Sequence, residues 1–127
     1  PPFDYTYNAA GGHYLSTTDD LARLGLALLD GSLLDAETLD TLMVSQATRD
    51  ARPTGWSHGW FVITDGAEPE LRINGSNPGS WSHLRVYPES GLVIAMGTNT
   101  WGRTARERPS GLMALMNEVH SIVSEPG

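Results

Sequence analysis

Apolar residues recur at two different periods along this chain, and the change from one to the other divides it. Leu21, Leu24, Leu28 and Leu29 fall at helical spacing, which predicts an amphipathic helix with one apolar stripe. Ser16, Thr17 and Thr18 offer N-caps ahead of it, Asp19 and Asp20 sit where carboxylates favour the positive helix end, and Gly31 can supply a left-handed stop. A second helix is predicted from about Ala36 to Ser45. Asp35 is its N-cap, Leu34 and Leu39 are spaced as a hydrophobic staple, and Leu39, Leu42 and Met43 form its buried face. Gln46 to Gly55 reads as a surface loop.

From Trp56 the period shortens. Trp60-Phe61-Val62-Ile63-Thr64 is aromatic and β-branched, and Asp65-Gly66 is a turn signal. Leu71-Arg72-Ile73 reads as a short strand, and Asn74-Gly75-Ser76-Asn77-Pro78-Gly79 as a loop. Ser82 to Tyr87 alternates polar and apolar, as a half-buried strand does, whereas Leu92-Val93-Ile94-Ala95-Met96 is apolar throughout. Strands this close together, joined by the Pro88-Glu89-Ser90-Gly91 turn, form an antiparallel meander. A last helix starts near Pro109 and runs to about Ser121, with Leu112, Leu115, Met116 and Val119 on its stripe. The expected fold class is α+β: two N-terminal helices, an antiparallel sheet of three to four strands, and a C-terminal helix.

Composition narrows what such a fold could do. The 127 residues suffice for one domain with its own core. Eight basic residues against fifteen acidic ones give a net charge of −7, the wrong sign for gripping a phosphate backbone, so no nucleic-acid partner is expected. No apolar run reaches the ~20 residues a membrane span requires, and the first residues, Pro1 to Tyr5, lack the pattern of a signal peptide. The absence of cysteine excludes disulfides, thiolate nucleophiles and iron–sulfur ligation. All eight basic residues are arginine, so this chain offers no P-loop lysine and no Ser-x-x-Lys pair.

Few local motifs carry chemistry. Gly55-Trp56-Ser57-His58-Gly59 has the G-x-S-x-G spacing of a nucleophile elbow, but it precedes a strand, whereas the elbow needs a strand-to-helix turn. His13, His58, His83 and His120 show no metal-ligand spacing, and neither a metal nor a cofactor is expected. The glycine in Asn74-Gly75-Ser76 would allow a backbone N–H to approach a ligand closely, as an oxyanion hole requires, although a tight turn is the simpler local reading.

Two longer stretches change that balance. Ala10-Gly11-Gly12-His13-Tyr14-Leu15-Ser16-Thr17-Thr18-Asp19-Asp20-Leu21-Ala22-Arg23-Leu24-Gly25 resembles the A-G-G-x-x-S-T-x-x-D-L-A-R-F-G signature of serine β-lactamase-related proteins. That family includes class C β-lactamases, D-alanyl-D-alanine carboxypeptidases and related esterases. Gly75 to Gly79, continuing through Tyr87-Pro88-Glu89-Ser90-Gly91-Leu92-Val93-Ile94 to Thr98-Asn99, is similar to its H-[ST]-G-G-x-P-G-[FY] … P-E-x-G segment, and Gly59-Trp60-Phe61-Val62 to the strand between. The match is collinear over nearly the whole chain and corresponds to the last third of a family domain.

The resemblance implies a β-lactamase/transpeptidase-like fold in which residues 1–50 belong to the helical lobe and 51–127 to the sheet and C-terminal helix of the α/β lobe. It also implies acyl transfer on a β-lactam, a D-alanyl peptide or an ester, by a serine that this chain does not carry. Tyr5-Thr6-Tyr7-Asn8 only approximates the family's Tyr-x-Asn motif. The third family motif falls on Ile73-Asn74-Gly75 with only its glycine kept, and the backbone N–H of Ser76 would be the matched oxyanion donor. The expected site is therefore Asn74, Gly75 and Ser76. The expected partners are a small carbonyl substrate and the N-terminal remainder of the same domain, with a homo-oligomer or swapped dimer if the chain stands alone. A non-catalytic member binding a ligand or protein in the same cleft is the alternative.

Overall fold

The structure, a computed structural model, describes residues 11–12, 14–77, 79–99 and 110–124. The Tyr5–Asn8 near-motif, His13, Pro78 and the Pro109 helix start lie outside the described residues. Helix α1 (Thr18–Leu29) is capped by Thr17, whose side chain accepts from the backbone N–H of Asp20. Gly31, with φ of 77°, follows its C-terminus. Helix α2 (Ala36–Leu42) is capped by Asp35, whose carboxylate accepts from Thr38 N at 2.8 Å. It stops three residues short of the expected end.

Five strands follow: β1 (Trp56–Ser57), β2 (Trp60–Ile63), β3 (Glu70–Asn77), β4 (Ser80–Tyr87) and β5 (Leu92–Thr98), and then helix α3 (Ser110–Ser124). They pair in sequence order, each antiparallel to the next. The meander is as expected, with one strand more than the three or four anticipated. The addition is β1, and His58 and Gly59, both at positive φ, make its two-residue turn to β2, as a type I′ hairpin requires. A larger difference concerns β3. Asn74 to Asn77 extend the strand instead of forming a loop, paired through to Asn77↔Ser80. The turn is left to the residues after Asn77, where Gly79 has φ of 88°.

The sheet is covered on both faces. Leu71, Leu84, Val86 and Val62 pack with Leu28 of α1 and Leu42 of α2 on one side. Trp81, Tyr87 and Ile94 pack with Met116 of α3 on the other, joined by Leu112, Met113 and Val119. On α1 the helix face turned to the sheet carries Gly25 as well as Leu28, while Leu24 is 41% exposed. Gly25 is needed for close approach: a Cβ there would lie 2.5 Å from Val93 Cγ1 and 3.1 Å from Val86 Cγ2.

Candidate functional site

The candidate site is built on β3, because only Leu71 and Arg72 of that strand pair on both edges. Its first residues pair with β2, ending at Phe61↔Arg72, while its pairing with β4 continues to Asn77. From Ile73 onward the edge that faced β2 has no described strand against it. Alternation then fixes which backbone groups that edge presents. Val62 donates its N–H to Gly55 O at 2.9 Å, on the β1 side. Successive residues of a strand turn their backbone groups to opposite edges, so Phe61 and Ile63 face β3. Their partners Glu70 and Arg72 face β2 in return. Asn74 and Ser76, two and four residues beyond Arg72, therefore present their N–H and C=O groups at the open edge.

Side chains along the same segment divide between the two sheet faces. Ile73 and Gly75 share the face of Leu71, beneath α1 and α2, and Ile73 is 37% exposed. Gly75 has no positive φ, and a Cβ there would meet only Ser82 Oγ at 3.6 Å, an ordinary contact. Nothing in its own described surroundings demands glycine, and the alternative of a tight turn at this position does not hold. The three expected residues thus form one continuous, exposed strand edge.

On the opposite face lies a polar column that the sequence reading missed. Register places Arg72 directly across from Arg85, and Asn74 across from His83. Two like charges in cross-strand positions repel, and Glu70 offsets this by pairing with Arg72 and lying 3.9 Å from Arg85 Nε. Arg85 also donates to Asn117 Oδ1 at 2.7 Å and to the Tyr87 hydroxyl at 3.4 Å. Burial raises the Tyr87 hydroxyl to about 12. His83 is 2% exposed, with no hydrogen-bond partner on either ring nitrogen. Burial first, then the charges of Arg85 and Arg72, pull its pKa from 6.5 to about 4, so the ring is neutral. The alternation of 82–87 suggested a half-buried strand, but α3 covers the polar face. Only the register could have revealed this column.

Two further clusters resemble catalytic groups and are not. Ser57 is fully buried, its Oγ bonded to Thr41 O at 3.4 Å and to His58 Nδ1 at 3.1 Å, so no substrate reaches it. This agrees with a strand entry and not an elbow. Ser124, His120 and Glu68 lie together, but both partners meet the same ring nitrogen, Nε2, at 3.4 and 2.8 Å. A relay needs the two nitrogens to be used separately. Glu68 instead ties the His120 region of α3 to the β4–β5 turn, accepting from Ser90 N and Oγ. Burial pushes its carboxyl up, but the His120 and Ser90 hydrogen bonds outweigh this and hold it below 4.5.

Two N-terminal helices, an antiparallel meander and a C-terminal helix make the α+β fold that was expected. A profile of the Beta-lactamase family matches residues 1–117. The chain belongs to the Beta-lactamase family. It is also similar to penicillin-binding protein 4 of Amycolatopsis lactamdurans, at 32% identity over 112 residues, covering 78% of this chain and 29% of that protein. The chain thus spans less than a third of that relative's length. No solved structure matches.

Proposed function

We propose that this chain is the C-terminal portion of a β-lactamase-like serine hydrolase domain, and that the open half of β3 borders the reacting carbonyl of a β-lactam, a D-alanyl peptide or an ester. The observation that carries this reading is the outward-facing Ser76 N–H on an unpaired strand edge, with Gly75 beside it leaving room. When a serine from outside this chain attacks the carbonyl, negative charge develops on its oxygen. A backbone donor fixed in a strand meets that charge without reorganising, and loss of one such donor typically lowers kcat by about 10²–10³-fold. Asn74 lines the same edge and presents the second outward pair of backbone groups. Catalysis needs the remainder of the domain, which is the partner this reading implies.

Ile73 supports a second reading. It occupies the first position of the third motif, where the family carries a cation or a hydrogen-bond donor, and an isoleucine supplies neither. A non-catalytic member would use the same edge to hold a ligand or a protein. Turnover of nitrocefin and p-nitrophenyl acetate separates the two. The 127-residue chain alone is expected to show none, and a longer chain that includes the Ser-x-x-Lys segment is expected to hydrolyse at least one. Turnover by the short chain would overturn the division of roles, and an inactive long chain with intact motifs would favour the binder.

A further inference from the structure

Behind the open half of β3, on the α3 face, is a cavity of about 320 Å³. Trp81, Phe61 and Met113 form its apolar walls, and Arg72, Asn74 and His83 its polar side. We propose that this cavity binds a small aromatic monocarboxylate, its ring against Trp81 and Phe61 and its carboxylate on Arg72 and Asn74. This site lies on the opposite face of β3 from Gly75; it uses the Asn74 side chain, whereas the reading given above uses the backbone edge of the same residue.

Charge complementarity selects an anion. Among the residues lining the cavity Arg72 is the one charged side chain, and its carboxylate partner Glu70 is shared with Arg85, whose Nε lies 3.9 Å away. Arg72 Nε and both nitrogens of His83 are buried without a partner. Unpaired buried polar atoms are costly: Arg72 Nε is a donor, and the neutral His83 ring offers one further donor and one acceptor. A carboxylate matches a guanidinium better than any neutral acceptor does, because its two oxygens fit the planar fork. Size and wall chemistry select the rest of the molecule. The volume lies at the small end of ligand pockets, and two aromatic walls with a thioether favour a flat ring. The larger cavity of about 600 Å³ beside it is lined by Glu68, Arg85, Asn117 and His120, groups that already bond one another.

Benzoate is the probe, titrated into the 127-residue chain at pH 7 and followed by tryptophan fluorescence and calorimetry. Saturable one-to-one binding is expected, with benzamide at least tenfold weaker because it lacks the charge. Arg72→Gln is expected to weaken benzoate at least tenfold while leaving benzamide nearly unchanged. As a readout independent of any variant, the His83 ring resonances should shift on saturation and titrate at higher pH, since the bound anion opposes the two arginines. No saturation, equal affinity for benzoate and benzamide, an Arg72→Gln chain that binds as the parent does, or His83 resonances that stay put would each overturn the proposal.

Discussion

His83 and Gly75 sit on neighbouring strands and face opposite sides of the sheet, and each makes a claim that one substitution can test. The His83 ring protonates near 6.5 in an unfolded chain and near 4 in the fold. Between those values the unfolded state binds more protons, so stability is full above about pH 6.5 and falls as pH drops toward 4. The loss is on the order of 3 kcal/mol at most, since each pKa unit is worth about 1.4 kcal/mol. Glu68 is held below 4.5, so its own contribution begins to be lost only as pH falls through about 4.5, at the acid end of this window. Melting temperatures of the parent and His83→Phe between pH 4 and 7 are expected to show a slope in the parent and a much flatter line in the variant. Equal slopes would remove His83 as the cause. Gly75→Val is expected to change the melting temperature little, because the position is extended and a Cβ meets only Ser82 Oγ at 3.6 Å. In the complete domain the same variant is expected to abolish ligand binding or turnover. A large stability loss with affinity per folded molecule unchanged would take Gly75 out of the site.

Elements whose ends are written in local chemistry were legible in the sequence. Thr17 and Asp35 cap α1 and α2 through the side-chain bonds their residue types suggest, and the apolar run of β5 lies where it was read. Extents set by tertiary pairing were not. Asn, Gly and Ser at 74–77 carry turn propensity, yet seven successive partners on β4, from Leu71↔Val86 to Asn77↔Ser80, hold them in a strand. The expected site residues therefore stand in a conformation that their own local propensities do not predict. Its polar column stayed hidden because Arg72 and Arg85 are thirteen positions apart and meet only through that register. Gly25 belongs to the same class: a glycine inside a helical pattern looks unfavourable until the sheet beneath it is known. Gly25→Ala is expected to destabilise the chain by about 1–3 kcal/mol through overpacking, despite alanine's higher helix propensity. The stiff, branched Val93 and Val86 side chains cannot turn aside cheaply. Denaturant melts decide this, and an alanine variant as stable as the parent would mean that α1 shifts freely on the sheet.

At the scale of the whole molecule, parts of the sheet's edges have no described strand against them. β5 pairs with β4 on one edge, and no described strand pairs with the other. The second half of β3 is another such edge. Apolar side chains outside the sheet are exposed as well: Leu26 and Leu33 are half exposed, and Ile122 and Val123 on α3 more so. Unpaired strand edges are templates for another chain, and scattered apolar exposure adds to the drive for association. The net charge of −7 opposes it, but screening at about 0.15 M salt limits that repulsion to roughly 8 Å. Edge pairing should win once salt is present. The 127-residue chain is expected to dimerise or exchange elements in solution, more strongly at 0.5 M than at 0.05 M salt, and to give up self-association for the N-terminal remainder of the domain when that is added. Sedimentation velocity across this salt range is the measurement. A compact monomer with a cooperative melt at every salt concentration would mean that the open edges are covered from within the chain.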